Sequence, residues 1–462
     1  MSRQAAIERI DSYLSDGGFL DDLARRVAIH TESQEDSQIG ELHRYLDDEM
    51  EPYLKDLGFN CVKFENPVDG GGPFLIATRH EGDDLQTVLS YGHGDVVRGY
   101  DDQWNEGLSP WEIVKEGDRW YGRGTADNKG QHTINIAAMK AVLEERGSLG
   151  FNVKILIETG EERGSPGLRE FCRAEADKLK ADVLVASDGP RLSPARPTIF
   201  MGSRGVFNFT MRLNMREGGH HSGNWGGLLA NPGVILTHAI SSIVSPKGEV
   251  LVEGLRPPGP IPNSVRAAIT NLEIDGGEGA PEIDPNWGEP GFTAGEKVFG
   301  WNTFEVLAFT TGTPNKPVNA VPPTAEAVCH IRFVPPTDPN GFLPAVREHL
   351  DANGFSMVEL SPDRECLNAT RLDPDHPWAK WVVASLEETS GNKIDVLPNL
   401  GGSLPNDAFS EILGLPTIWV PHSYASCSQH APNEHILESV SQNALQIMTG
   451  LWWDMGAGNT PR

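Results

Sequence analysis

The stretch TVLSYGHGD (87–95) decides the fold, because an apolar run of strand length ends there in a histidine and an aspartate. Two further stretches repeat the plan. VKILIETGEE (153–162) ends in Glu161 and Glu162, and ADVLVASDGP (181–190) carries Asp188. FLIATRH (74–80) also reads as a buried strand. Helical spacing lies between the later ones, over Gly130 to Glu145. Strands alternating with helices predict an α/β domain whose central sheet is largely parallel and flanked by helices. Ligands of open α/β sheets bind beyond the carboxyl ends of the strands. His93, Asp95, Glu161, Glu162 and Asp188 would then meet at one edge of one sheet.

Working outward, apolar residues at helical spacing predict two helices within 5–30 and another over Gly40 to Leu57. The character changes at Gly202-Ser203-Arg204-Gly205. VFNFTMRLNM (206–215), TFEVLAFTTG (303–312), AEAVCHIRFV (325–334) and FSMVELS (355–361) read as strands, with helices from Pro232 to Val244 and Leu343 to Leu350. An α+β insertion over 206–370 follows, dividing a domain made of 1–205 and 371–462. Gly254 to Gly300, rich in Gly and Pro, is expected to be loop and connection. The α/β pattern resumes at Pro377 and ends in a helix near Glu438 to Trp453.

Composition narrows the function. The 462 residues carry 38 Lys and Arg against 65 Asp and Glu, a net charge of −27. Such a surface repels phosphate backbones and anionic lipid heads, which argues against nucleic acid and membrane partners. Neither a signal-peptide pattern nor an apolar run long enough for a membrane span is expected. Five scattered cysteines without a C-x-x-C pair read as reduced thiols in a cytoplasmic protein. Any metal would be held by His, Asp and Glu.

Five short segments offer such donors. In YGHGD (91–95), His93 is a candidate ligand, and Asp95 can take its second ring N–H directly or orient the loop. In YGRGTADNKG (121–130), Asp127 precedes a helix beginning near Lys129; it can bridge two cations or simply cap the helix. ETGEERGS (158–165) holds adjacent carboxylates whose side chains diverge, so one can bind metal while the other faces substrate as a base. SDG (187–189) follows a strand. QHAPNEH (429–435) follows the strand PTIWVP (416–421) and offers His430, with His422 and His435 as competitors.

Together these residues resemble the carnosinase, glutamate carboxypeptidase and aminoacylase family of metallopeptidases, family twenty, which includes acetylornithine deacetylase and succinyl-diaminopimelate desuccinylase. YGHGDVV, YGRGTADNKG, GEERGS, SDG, HHSGNWGG, NAVPPTA, IRFVP, GGSLPND and HAPNE occur in the family's order, from about Leu20 to Leu451. The resemblance implies two divalent ions per subunit, zinc first, with manganese or cobalt as the other choices. It implies that His93 and Asp188 hold one ion, Glu162 and His430 the other, and Asp127 bridges them. Glu161 is then general base and acid for attack of a metal-activated water on an amide, and Asp95 is the partner of His93. The peptide bond after Asp127 would be cis. The inserted domain is implied to be a lid that dimerises and that lends a histidine to an active site, in its own chain or its neighbour's: His221, with His220 beside it. Asn319 and Arg332 would anchor substrate, and Gly401, Gly402 and Ser403 would hold its carboxylate. Substrates implied are small peptides, above all dipeptides, given IRFVP and GGSLP. The other reading is N-acyl amino acids, for a deacylase or carbamoyl amidohydrolase. Asn128 and Arg98 depart from the family, standing where an acid and a proline are common.

Overall fold

The computed structural model describes residues 1–274, 280–363 and 366–461. In chain order the elements that matter are helices α1 (Arg3–Ser15) and α2 (Gly18–Val27), then strands β1 (Asn60–Phe64), β2 (Phe74–Arg79) and β3 (Thr87–His93). Helix α3 (Lys129–Arg146) follows, then strands β4 (Asn152–Glu158), β5 (Val183–Ala186) and β6 (Thr198–Phe200). The insertion supplies β7 (Gly205–Asn214), α4 (Pro232–Ile243), β8 (Thr303–Thr311), β9 (Thr324–Phe333), α5 (Phe342–Ala352) and β10 (Glu359–Pro362). Helix α6 (Pro377–Ser390), strands β11 (Asp395–Leu397) and β12 (Thr417–Trp419), and helix α7 (Glu438–Met455) complete the chain.

Eight strands form the main sheet in the order β1-β2-β4-β3-β5-β12-β6-β11. The four at its centre, β4, β3, β5 and β12, run parallel, while β2 and β6 pair antiparallel at either side. Burial on both faces explains why the central strands are apolar without alternation. Every residue of β5 is buried, as is β3 from Val88 onward. One face packs against α1, α3, α6 and α7, with Ile134, Ala138, Leu445 and Trp452 in its core. Helix α3 is buried along nearly its whole length, so its sequence shows little polar stripe.

The second sheet, β8-β9-β7-β10, is antiparallel throughout. Along β9, Ala325, Ala327, Cys329, Ile331 and Phe333 face inward and alternate with less buried residues. That period of two covers one side of the sheet, where α4 and α5 add Leu236, Ile243, Phe342 and Val346. Strand β8 forms an edge and leaves Val306, Leu307 and Phe309 exposed.

Three expectations need correction. The segment expected to be loop, 254–300, contains helices Asn263–Ile269 and Ala294–Phe299. Ile261, Val265, Ile269 and Phe299 pack with Leu89, Leu184, Leu397 and Trp419 on the second face of the main sheet. These helices are too short to show a period among their glycines and prolines; tertiary burial stabilises them. The strand read in FSMVELS is present only from Glu359. The helix read over Gly40 to Leu57 is broken by a π-helical turn at Tyr45–Met50, which sets Tyr45 beneath the site. Among the described residues no helix is long and apolar enough to cross a membrane.

Candidate active site

The carboxyl ends of β3, β4 and β5 lie side by side, because these strands are parallel neighbours. His93 is the last residue of β3, Glu161 and Glu162 begin the turn after β4, and Asp188 follows β5 by two residues. The fourth contribution comes from the start of α3, where the Asp127–Asn128 peptide bond is cis. The fifth is His430, in a loop whose backbone is left-handed there.

Asp127 stands at the centre. Its Oδ1 lies 3.0 Å from His93 Nε2, and its Oδ2 lies 3.0 Å from His430 Nε2. Asp188 Oδ2 lies 3.7 Å from His93 Nε2, and Glu162 Oε2 lies 3.2 Å from His430 Nε2. Two donor groups result, His93–Asp127–Asp188 and Asp127–Glu162–His430, each with its ligand atoms within 4.8 Å of one another. They share only Asp127. Both sets consist of imidazole and carboxylate, which suits zinc and similar divalent ions. Asp188 Oδ2 is buried without a hydrogen-bond partner, as a metal-facing oxygen would be. The residues therefore fit a pair of divalent cations.

Electrostatics point the same way. Burial, then the neighbouring carboxylates, push Glu162 up to about 7 and Asp188 up to about 6. Burial likewise raises Glu161 well above the usual carboxylate range, reinforced by Asp188, Glu162 and Asp127. Asp127 itself is pulled below that range: burial opposes ionisation, but His430 and His93 outweigh it. So many buried carboxylates in one place call for protons or cations.

Asp95 works differently from a simple partner of His93. His93 Nδ1 lies 3.0 Å from the Asp95 carbonyl and 3.4 Å from its carboxylate. The nearer contact has Nδ1–H donating to the carbonyl, which turns Nε2 toward Asp127 and Asp188. The Asp95 carboxylate instead accepts the backbone N–H groups of Glu161 and Glu162, each at 3.1 Å, and the Ser33 hydroxyl at 2.6 Å. It thereby fixes the turn that carries both glutamates. Close packing explains the glycines of YGHGD: a Cβ on Gly92 would come 2.6 Å from His132 Cβ, and one on Gly94 would come 2.4 Å from the Tyr45 ring. Tyr45 and His132 hydrogen-bond at 2.6 Å, and His132 reaches the Asn128 side chain, whose amide donates to the Ser187 carbonyl. Asn128 therefore sits inside a chain of neutral hydrogen bonds.

Two supporting residues carried no assignment from the sequence. Glu434 Oε1 accepts the backbone N–H groups of Gly124, Ala126 and Asp127 at 3.0–3.1 Å, while its Oε2 accepts from buried Arg123 at 2.8 Å. Arg123 also donates to the carbonyl of Ala431. This pair ties the Asp127 loop to the His430 loop. The only available signal was an acid and a base within two motifs already noted, some 300 residues apart.

A cavity of about 650 Å³ opens beside the donor groups. Asp127, Glu161, Asp188 and His430 line one part; Arg332, Gly401, Gly402 and Ser403 line another. Arg332 donates to the Ser403 hydroxyl at 2.8 Å. His221 and Asn319 do not line this cavity. They sit exposed and adjacent on a two-stranded ribbon, His221 opposite Ala320, with Ser222 N–H donating to the Asn319 carbonyl at 2.9 Å. Of the competing histidines, His422 is buried against Ser187, and His435 bonds the Tyr424 hydroxyl at 2.6 Å.

Comparison with known proteins agrees with this geometry. A model of peptidase family M20/M25/M40 matches residues 89–454. The cysteinylglycine-S-conjugate dipeptidase of Corynebacterium striatum is 25% identical over 364 residues, 76% of each chain. The Beta-Ala-His dipeptidase of Mus musculus is 32% identical over 207 residues, which span 44% of this chain and only 42% of the mouse enzyme. The solved structure of the Saccharomyces cerevisiae di-peptidase Dug1p superposes with a TM-score of 0.77 over 99% of both chains, at 19% identity.

Proposed function

The chain belongs to peptidase family M20/M25/M40, and from that premise we propose that it is a dipeptidase working with two divalent cations, zinc by preference. The observation that carries this reading is Asp127, whose two oxygens face two separate donor groups. His93 and Asp188 would hold one ion, Glu162 and His430 the other, with Asp127 between them. When bound, such ions supply Lewis acidity for the scissile carbonyl and a water acidified toward neutral pH.

The protein's own residues divide the remaining work. Glu161 lines the cavity and is no member of either donor group, so it is free to take the proton of the attacking water and pass it to the leaving amine. Asp95 positions it through the backbone. Arg332, Ser403 and Gly402 receive the terminal carboxylate of the peptide. The substrates for which these relatives are named, cysteinylglycine conjugates and Beta-Ala-His, favour a dipeptide over an N-acyl amino acid.

The lid, taken as 206–370 without the helices Asn263–Ile269 and Ala294–Phe299 that pack on the main sheet, closes about Gly202–Gly205 and Arg371–Pro377 and pairs with its twin in a homodimer. The exposed apolar residues on the β8 edge support that pairing. His221 stands away from the cavity of its own chain and serves the partner's site, where it stabilises the oxyanion. Glu161→Gln tests the core of the reading: turnover of a dipeptide should fall by about 10²–10⁴-fold while metal content stays unchanged. Near-normal turnover in that variant would sink it.

A further inference from the structure

Apart from the donor groups, Glu161, Arg191, Arg332, Ser403 and Gln429, the lining of the cavity is largely apolar. A methyl group built on Gly401 would come 3.1 Å from Val298 Cγ1 and 3.6 Å from Phe299 Cε1, so these side chains lie directly over the loop that faces Arg332. Leu400 Cδ2 would lie 3.6 Å from a Cβ on Gly402 and 3.2 Å from one on Gly189, next to Asp188. Leu400 thus spans from the donor groups to the loop beyond. Leu192, Leu397 and Leu404 continue the same lining. Val298 and Phe299 come from the helix Ala294–Phe299, which the packing assigns to the main sheet. Arg371 holds it there, donating to the Phe299 carbonyl at 3.1 Å and to Asn399 at 2.9 Å.

We propose that this chain selects peptides whose C-terminal residue has a large apolar side chain, such as leucine or phenylalanine, seated against Val298, Phe299 and Leu400. The inference rests on the dipeptidase reading for its placement. With the scissile carbonyl at the donor groups and the terminal carboxylate at Arg332 and Ser403, one carbon lies between them: the Cα of the C-terminal residue. Its side chain must meet the wall that joins the two ends. Glycine leaves that wall wet, and histidine buries an imidazole there opposite leucine, valine and phenylalanine side chains. This preference differs from the substrates for which the relatives are named.

Two measurements on the metal-loaded protein test it. Calorimetric titration should show L-leucine and L-phenylalanine binding at least about tenfold more tightly than glycine or L-histidine. In hydrolysis, kcat/KM for Ala-Leu should exceed that for Ala-Gly by about tenfold or more, and Val298→Ser should reduce that ratio several-fold. Equal binding of the four amino acids, or an Ala-Leu to Ala-Gly ratio near one, overturns the proposal. N-acetyl-leucine and N-acetyl-glycine are measured alongside. If these are cleaved and no dipeptide is, the dipeptidase reading fails, yet their ratio still judges the apolar preference. If nothing is cleaved, the amino-acid titration decides.

Discussion

At the scale of single residues, one carboxylate carries the centre of the site. Because Asp127 belongs to both donor groups, removing it should empty both. Metal analysis of Asp127→Ala should fall from about two ions per chain toward none, whereas Asp188→Ala should retain the ion held by Glu162 and His430. An Asp127→Ala protein with full metal content would refute the bridge. Glu434 acts at a distance through Arg123 and the Asp127 loop. Both side chains are at most 1% exposed. Glu434→Ala strands a buried guanidinium and should cost about 3–5 kcal/mol of stability, read by denaturant unfolding, together with weakened metal binding.

At the scale of elements, the parallel run β4-β3-β5 delivers three donors, His93, Glu162 and Asp188, and sets Glu161 beside them, because parallel strands end on the same side. The glycines around His93 let a helical turn and α3 press against β3. Gly94→Ala should therefore displace Tyr45 and, through the Tyr45–His132–Asn128 chain, disturb the Asp127 loop. The expected result is a loss of stability of about 1–3 kcal/mol with reduced metal affinity. Ala at Gly40, exposed in the helix Ile39–Arg44 where a Cβ meets nothing within 4 Å, is the control: metal affinity should stay unchanged and stability should rise by about 0.5–1 kcal/mol.

For the whole molecule, the metal-free protein should respond to pH. Glu162 and Asp188 have folded pKa values near 7 and 6, above their unfolded ones, so folding takes up protons around them. The stability they contribute is complete at low pH and is lost as pH rises toward about 7. His430, raised to about 11 by Asp127 and Glu162, contributes in the same direction: present below its unfolded value, lost only as pH climbs through the folded one. Asp127, pulled down, opposes this only in strong acid. His132 and His422, held by burial well below the usual imidazole range, oppose it up to about pH 6.5. Lys129, lowered to about 7 by burial, opposes it above that, where buried Glu158 and Glu161 still act in the carboxylate direction. Thermal melts of metal-free protein should thus fall between about pH 6.5 and 8, and added zinc should restore stability most at the upper end. A flat or rising trend would contradict the crowding of carboxylates. At the same scale belongs the dimer. Mixing inactive Glu161→Gln with inactive His221→Ala should recover part of the activity if His221 acts across the interface; a dead mixture with verified subunit exchange would place it in its own chain.

The sequence by itself determined the α/β class, the insertion and the strand-end donors. Those features are local: apolar runs of strand length, helical spacing between them, and polar residues just past the last apolar one. His430, by contrast, could not be told from His422 or His435 by spacing, since all three flank the same strand. The family resemblance singled out His430, and the tertiary structure gives the physical reason, burying His422 against Ser187, pairing His435 with Tyr424 and swinging His430 onto Asp127. Only the tertiary structure placed Glu434 under the Asp127 loop and Val298 and Phe299 over Gly401. Apart from His435–Tyr424, 11 positions apart, these contacts join residues roughly 100 to 300 positions apart and impose no period on either segment. Their physical basis is burial and hydrogen-bond satisfaction between distant parts of the chain, which arises only when the chain has folded.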